Sequence, residues 1–240
     1  MSRLTFLPLM LLLAGLPATA LGFDHKPLDA ILRAHVRGGR VDYAGIKARD
    51  ADKLAAYVKA VGSASVSGMS KNAKLAFYLN AYNALVIKAV VDRWPGITSV
   101  MKVPGFFKSK RYKVAGRTVT LDQLENKVIR PTFKEPRIHF ALVCAARSCP
   151  PLPSRAFSAS GLDKTLDRLA RSFINSSRGV QVSGDTIRVS RLFEWYAGDF
   201  VAAAGSVGKF LARYHKTHAD KLKAATKLDY LNYDWALNKK

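Results

Sequence analysis

Both cysteines of the chain lie in one stretch, Ile138 to Pro150 (IHFALVCAARSCP), with the only histidine between His35 and His215. Two thiols beside an imidazole can do three kinds of chemistry. A thiol whose pKa is lowered by a base or a positive charge is a nucleophile. Two thiols in an oxidising compartment close a disulfide. Thiolates and an imidazole can hold zinc, but Cys-x4-Cys is a loose spacing for that ion, and the residues call for no metal and no cofactor.

On the nucleophile reading, His139 is the base, and Asn80, Asn83 or Glu125 orients it or donates to an oxyanion. Cys149 is then the better nucleophile. If Ile138 to Val143 is a strand, alternation turns Cys144 away from His139, whereas Cys149 lies beyond it, close in sequence to Arg147. On the disulfide reading, Cys144 and Cys149 close a short loop worth roughly 2 kcal/mol, and His139 is a core histidine bonded to Glu125 or a buried Asn. Both readings stay open. Asn80, Glu125, His139 and Cys149 are thus candidates for catalysis, and Tyr82, Asn83, Arg147 and Tyr196 for ligand contact. Asp42 and Asp199 read as turn or cap residues, Trp195 as core, and His25, His35, His215 and His218 as surface residues.

The elements that must position these residues follow from periodicity. Leu28, Ile31, Leu32 and Val36 mark a first helix ended by Gly38-Gly39, and Val41 to Tyr43 an extended piece. Asp50 can cap a second helix bearing Leu54, Tyr57, Val58 and Val61. Ser70 to Trp94 is the strongest helix, capped by Ser70 and stopped by Pro95-Gly96. It is apolar on most sides and therefore buried, so Asn80 and Asn83 must find partners inside the protein. Arg111 to Thr120 alternates around Gly116 as a hairpin. Thr120 caps a helix from Leu121 to Ile129, closed by Pro131. Ile138 to Val143 is an apolar, β-prone run and reads as a buried strand. Ser160 opens a helix through Asn175, and Val180 to Val182 and Thr186 to Val189 flank a turn. Helices follow at Arg191 to Ala204 and Val207 to Ala225. The tail, Leu228 to Leu237, reads as an edge strand. The order indicates an α+β fold: one domain over residues 21–240, with a long buried central helix, hairpins and a short mixed or antiparallel sheet.

Residues 1–20 have the form of a cleaved signal peptide: Arg3, the apolar run Leu4 to Leu16, then Ala18-Thr19-Ala20. The expected location is periplasmic or secreted. The chain carries 39 Lys+Arg against 17 Asp+Glu, a net charge of +22. Loss of Arg3 with the leader gives 38 − 17 = +21. That field draws the protein loosely to anionic membrane or cell-wall surfaces. The basic residues are scattered and no nucleic-acid module is visible, so specific nucleic-acid binding is not expected.

Several short motifs in one order resemble the domain of unknown function 547 family. They are Phe77-Tyr-Leu-Asn-Ala-Tyr-Asn-Ala-Leu85, Leu121 to Asn126 with Arg130, and Arg137 to Leu142 leading to Cys144 and Ser148-Cys-Pro150. Leu192-Phe-Glu-Trp-Tyr196 with Asp199-Phe200, and Tyr233 to Asn238, complete the set. A helical Glu faces solvent by default, but the place of Glu125 in this resemblance, followed by Arg130 and His139, implies a buried ion pair or a base. The family name implies no activity. Two classes therefore stand: an exported structural or ligand-binding module with a Cys144–Cys149 disulfide, and a Cys/His hydrolase or acyl transferase acting on peptide, cell-wall or ester bonds.

Overall fold

The computed structural model describes residues 22–240, and the expected signal peptide lies outside the described residues. Leu28, Ile31, Leu32 and His35 bury one face of α1 (Lys26–His35). A short hairpin of β1 (Val36–Arg37) and β2 (Arg40–Val41) follows. Its turn holds Gly39 at φ +80°, and a Cβ there would sit 2.5 Å from Cβ of Pro151. The hairpin can therefore lie against the loop after the cysteines only because that side chain is absent. Where an extended Val41 to Tyr43 was expected, Asp42 caps the Gly45 N–H at 2.8 Å and starts α2 (Tyr43–Arg49). α3 (Ala51–Ser63) starts after Asp50, but the Asp50 carboxylate makes no cap bond and goes to His35 and Lys53 instead. His35 is no surface residue: it is 1% exposed and held by Asp50 at 2.8 Å and Asp42 at 3.4 Å. His25 bonds the Tyr57 hydroxyl at 2.8 Å, and burial pulls its pKa down to about 4.

Helix α4 (Lys71–Val91) is the central element. Ser70 caps it through the Ala73 N–H, and from Leu75 to Val91 every residue except Lys88 is buried. Each fully buried Leu, Val or Phe stabilises the fold by about 1.5–3 kcal/mol. Strands β3 (Arg111–Val114) and β4 (Arg117–Thr120) form the expected hairpin. Thr120 and Gln123 then make a reciprocal capping box that opens α5 (Leu121–Gln123). The helix widens into a π turn, Leu124–Ile129, and goes on as α6 (Arg130–Phe133). Pro131 does not close it. A π turn shifts the hydrogen-bond register by one residue, and a residue with no N–H is accommodated just past the shift.

The strand expected over Ile138 to Val143 is absent. Pro136–Phe140 is a 3-10 helix, followed by a turn. Pro136 presets helical φ at its start, and the polar partners that a strand would need are already taken by Asn83, as described below. Helix α7 (Leu162–Ile174) begins after Gly161, with no cap from Ser160. Strands β5 (Val180–Ser183) and β6 (Thr186–Val189) form the next hairpin. The helix expected from Arg191 to Ala204 breaks at Tyr196 into α8 (Leu192–Trp195) and α9 (Ala197–Ala204). The one expected from Val207 to Ala225 breaks into α10 (Val207–Ala212) and α11 (Ala219–Ala224). β7 (Asp229–Tyr230) joins β6 in parallel at the sheet edge. The fold is α+β, a single domain of helices with small sheets of two and three strands. No described helix is long and apolar enough to cross a membrane.

Beyond β7 the tail is threaded rather than paired in a sheet. The Leu237 N–H donates to the Thr98 carbonyl, the Asn238 N–H to that of Ala145, and the Arg147 N–H to that of Ala236. The Asn238 side chain accepts from the Tyr43 hydroxyl at 2.7 Å and donates to the Gly39 carbonyl. The end of the chain therefore lies between the segment at Ser99 and the cysteine loop.

Candidate functional site

The two buried amides of α4 fix the loops around the site. Asn83 donates to the Ala141 carbonyl and accepts from the Val143 N–H, both at 2.9 Å. Three residues earlier on the same face, Asn80 clamps Phe157 in the same two-bond manner at 2.9 and 2.8 Å. Asn80 was expected to join Glu125 and His139. Its amide is instead consumed by Phe157, and it does not line the cavity that the other two share. Asn83 likewise positions backbone and does not line that cavity.

Past Val143 the chain makes the cysteine loop. Cys144 and Cys149 are joined by a disulfide, with Cα atoms 6.2 Å apart. The Cys144 N–H donates to Sγ of Cys149 at 2.9 Å, and Sγ of Cys144 meets the Tyr233 hydroxyl at 3.4 Å. Ala145 holds φ +64°, a left-handed conformation that costs an L residue roughly 1–2 kcal/mol. Asn238, from the threaded tail, holds its carbonyl. Arg147, a candidate for ligand contact, is half-exposed and faces Asp234 at 3.7 Å, away from the cavity.

His139 is 2% exposed, and its partner is not Glu125. Its Nε2 bonds Asp199 at 2.7 Å, and its ring stacks on Tyr196 with centroids 3.8 Å apart. Arg130 makes a two-pronged bond to the same carboxylate, 2.8 Å on each arm, and reaches Asn126 with its remaining nitrogen. Asp199 therefore caps no helix: its carboxylate is taken by His139 and Arg130. His139 first, and Arg130 next, hold its carboxyl well below the usual carboxylate range against the opposing effect of burial. Its place in the first turn of α9 also suits a negative charge. No described hydrogen bond engages Nδ1 of His139.

Glu125 is 7% exposed. In an α-helix, five residues would leave it and Arg130 about 140° apart. The π turn, closed by the Arg130 N–H on the Glu125 carbonyl, narrows that angle. Tyr82 and Tyr196 line the same cavity as the Glu125 carboxylate. Burial first, and that carboxylate next, push both phenols up and keep them neutral donors.

These groups surround a cavity of about 220 Å³. Glu125, His139 and the disulfide line it, with Tyr82 and Tyr196, as do Phe107, Leu142 and Leu192. Trp195, Tyr233 and Trp235 cluster at its edge with centroids 4.6–5.6 Å apart, and Trp195 is 45% exposed. Sequence reasoning missed Asp199, Tyr233 and Trp235. The signal for Asp199 was a charged residue inside a motif next to buried Phe200. The signal for the other two was an aromatic tail too rich for a plain edge strand.

Fold and site together define a disulfide-stapled α+β domain with an aromatic-edged cavity over a buried carboxylate and a His–Asp pair. Residues 66–174 match the family described as "Protein of unknown function, DUF547", and the chain carries a domain of that family. The match takes in α4, the π turn, His139 and both cysteines, while Trp195, Asp199 and Trp235 come from beyond it. No curated protein and no solved structure matches the chain.

Proposed function

We propose that the chain is an exported module that binds a small molecule in the cavity beside the Cys144–Cys149 disulfide. One observation carries this reading: segments as far apart as Tyr82 and Trp235 turn a few polar groups and many aromatic faces into one space. Concave, mostly apolar sites with a few convergent polar groups are where proteins hold small ligands. Export is supported by the form of residues 1–20 and by the disulfide, which persists in oxidising compartments. The net charge of the mature chain supports a loose hold on anionic membrane or cell-wall surfaces.

Native mass spectrometry of protein taken from the extracytoplasmic fraction of its host tests both parts. The chain is expected to begin at Leu21 and to carry a small added mass that denaturation releases. A chain retaining Met1 overturns export. A bare chain whose Trp fluorescence responds to no small molecule overturns binding.

A second reading is favoured by the surroundings of one sulfur. Cys149 lines the same cavity as His139, Asp199 orients the imidazole, and the Cys144 N–H already points at Sγ. On reduction these are the parts of a Cys/His hydrolase or acyl transferase for peptide, cell-wall or ester bonds. The thiolate would add to the carbonyl, the leaving group would take its proton from His139, and water or an acceptor would release the acyl group.

Thiol labelling after mild reduction separates the readings. A working nucleophile reacts faster as pH rises through a depressed pKa, and Cys149→Ser then abolishes ester hydrolysis while Cys144→Ser does not. A purely structural disulfide gives no hydrolysis, and either substitution costs about 2 kcal/mol.

A further inference from the structure

We propose that the ligand of this cavity is a compact primary amine, bound as its ammonium ion against Glu125; the assignment rests on the binding reading above.

Glu125 lies in the cavity lining, 7% exposed. Among the described residues no ion pair includes it. Arg130, which shares its turn, gives its guanidinium to Asp199 and Asn126 and lines a neighbouring cleft instead. A carboxylate shut away from water without a cation in contact is costly, and a cation supplied by a ligand removes that cost. A carboxylate has about four acceptor positions. With the Tyr82 and Tyr196 phenols close to it, positions remain for the N–H groups of an ammonium ion.

The rest of the lining fits the same guest. Trp195, Tyr233 and Trp235 offer aromatic faces, which attract cations, and Leu142 and Leu192 offer an apolar surface for a hydrocarbon body. At about 220 Å³ the space falls below the roughly 300–1,000 Å³ of sites for drug-sized ligands, so the amine is small. The charge of the whole chain, +22, repels cations in bulk, yet salt screens that field over about 8 Å. A carboxylate in direct contact acts at about 3 Å, so within the cavity the local charge decides. Lys108 also borders the cavity but is exposed, and it forms no described ion pair with Glu125.

The test uses the full mature chain with its disulfide intact, titrated by calorimetry and Trp fluorescence with n-butylammonium, tetramethylammonium, n-butanol and butyrate. Butylammonium is expected to bind at least about tenfold tighter than the other three, because only it combines charge, N–H donors and the apolar body. Glu125→Gln is expected to weaken it on the order of 10–100-fold and to leave butanol unchanged. Trp195→Leu, at an exposed position that tolerates change, is expected to weaken it about two- to tenfold, and carries the test if Glu125→Gln does not fold. Butanol or butyrate binding as tightly as the amine overturns the amine assignment and leaves the binding reading standing. Tetramethylammonium binding as tightly overturns the primary-amine assignment in favour of a caged quaternary ion. Failure of every probe to bind overturns both readings.

Discussion

Replacing Asn83 by Ala is expected to lower the unfolding free energy by about 2–4 kcal/mol and to expose the disulfide to reductant. Asn83 is 3% exposed, and its two bonds are made to backbone groups on either side of Leu142, at the entry to the cysteine loop. Truncation leaves the Val143 N–H and the Ala141 carbonyl, both on buried residues, without partners. Each orphaned group costs roughly 1–3 kcal/mol, and the helix itself gains only a little propensity from the Ala. Asn80→Ala should cost a similar amount, because Asn80 makes the same pair of bonds to Phe157. The two variants differ in their second effect. Only Asn83 borders the cysteine loop, so only Asn83→Ala should speed reduction of Cys144–Cys149 by dithiothreitol below the unfolding transition. Urea titrations measure the first effect and timed alkylation the second. A loss under about 1 kcal/mol, too small for a buried two-bond clamp, would show that the loop holds itself.

The second large effect is expected from Asp199→Asn, and it depends on pH. The folded-state pKa of Asp199 is depressed, by the His139 and Arg130 bonds. A depressed carboxylate stabilises the fold at pH values above its unfolded pKa, about 3.9, and loses that contribution as pH falls through the folded value. The wild-type chain should therefore lose stability steadily below about pH 5, and Asp199→Asn should show a shallower loss. At pH 7 the variant should be less stable by about 2–3 kcal/mol. That figure is set near one charged hydrogen bond rather than three, because the carboxylate is 29% exposed and water screens it. Asp42, Asp50 and Asp92 are also held low by their partners, so the informative quantity is the difference between the two pH profiles. Parallel profiles would remove Asp199 from the acid response.

Local rules made much of this fold legible. Ser70 before an apolar run, Thr120 with Gln123, and Gly116 between alternating residues each act within a few positions, and each does what its chemistry dictates. The apolar circumference of α4 likewise required its two amides to find buried partners. The sequence could not say which. Asn80 and Glu125 both sit in helices of the centre, yet one faces Phe157 and the other the cavity, a difference set by how separate segments pack. Ile138 to Val143 failed for a related reason. Its composition favours a strand, but no neighbouring strand is offered, and Asn83 takes the backbone groups that a ladder would use. The π turn was invisible because its residues are ordinary helix formers. Asp199 was weighed as a cap when its real partners, His139 and Arg130, lay 60 and 69 residues earlier.

The threaded tail sets a timetable for the protein. Tyr233 and Trp235 supply the edge of the cavity, and Asn238 holds Ala145 in the cysteine loop. Glu125, His139 and both cysteines lie far earlier in the chain, yet the hollow they share has no finished wall without Tyr233 and Trp235. Contacts so distant along the chain are slow to form. The site is therefore complete only once the segment Tyr233 to Asn238 has settled against the hollow, however early the thiols and the buried carboxylate are in place.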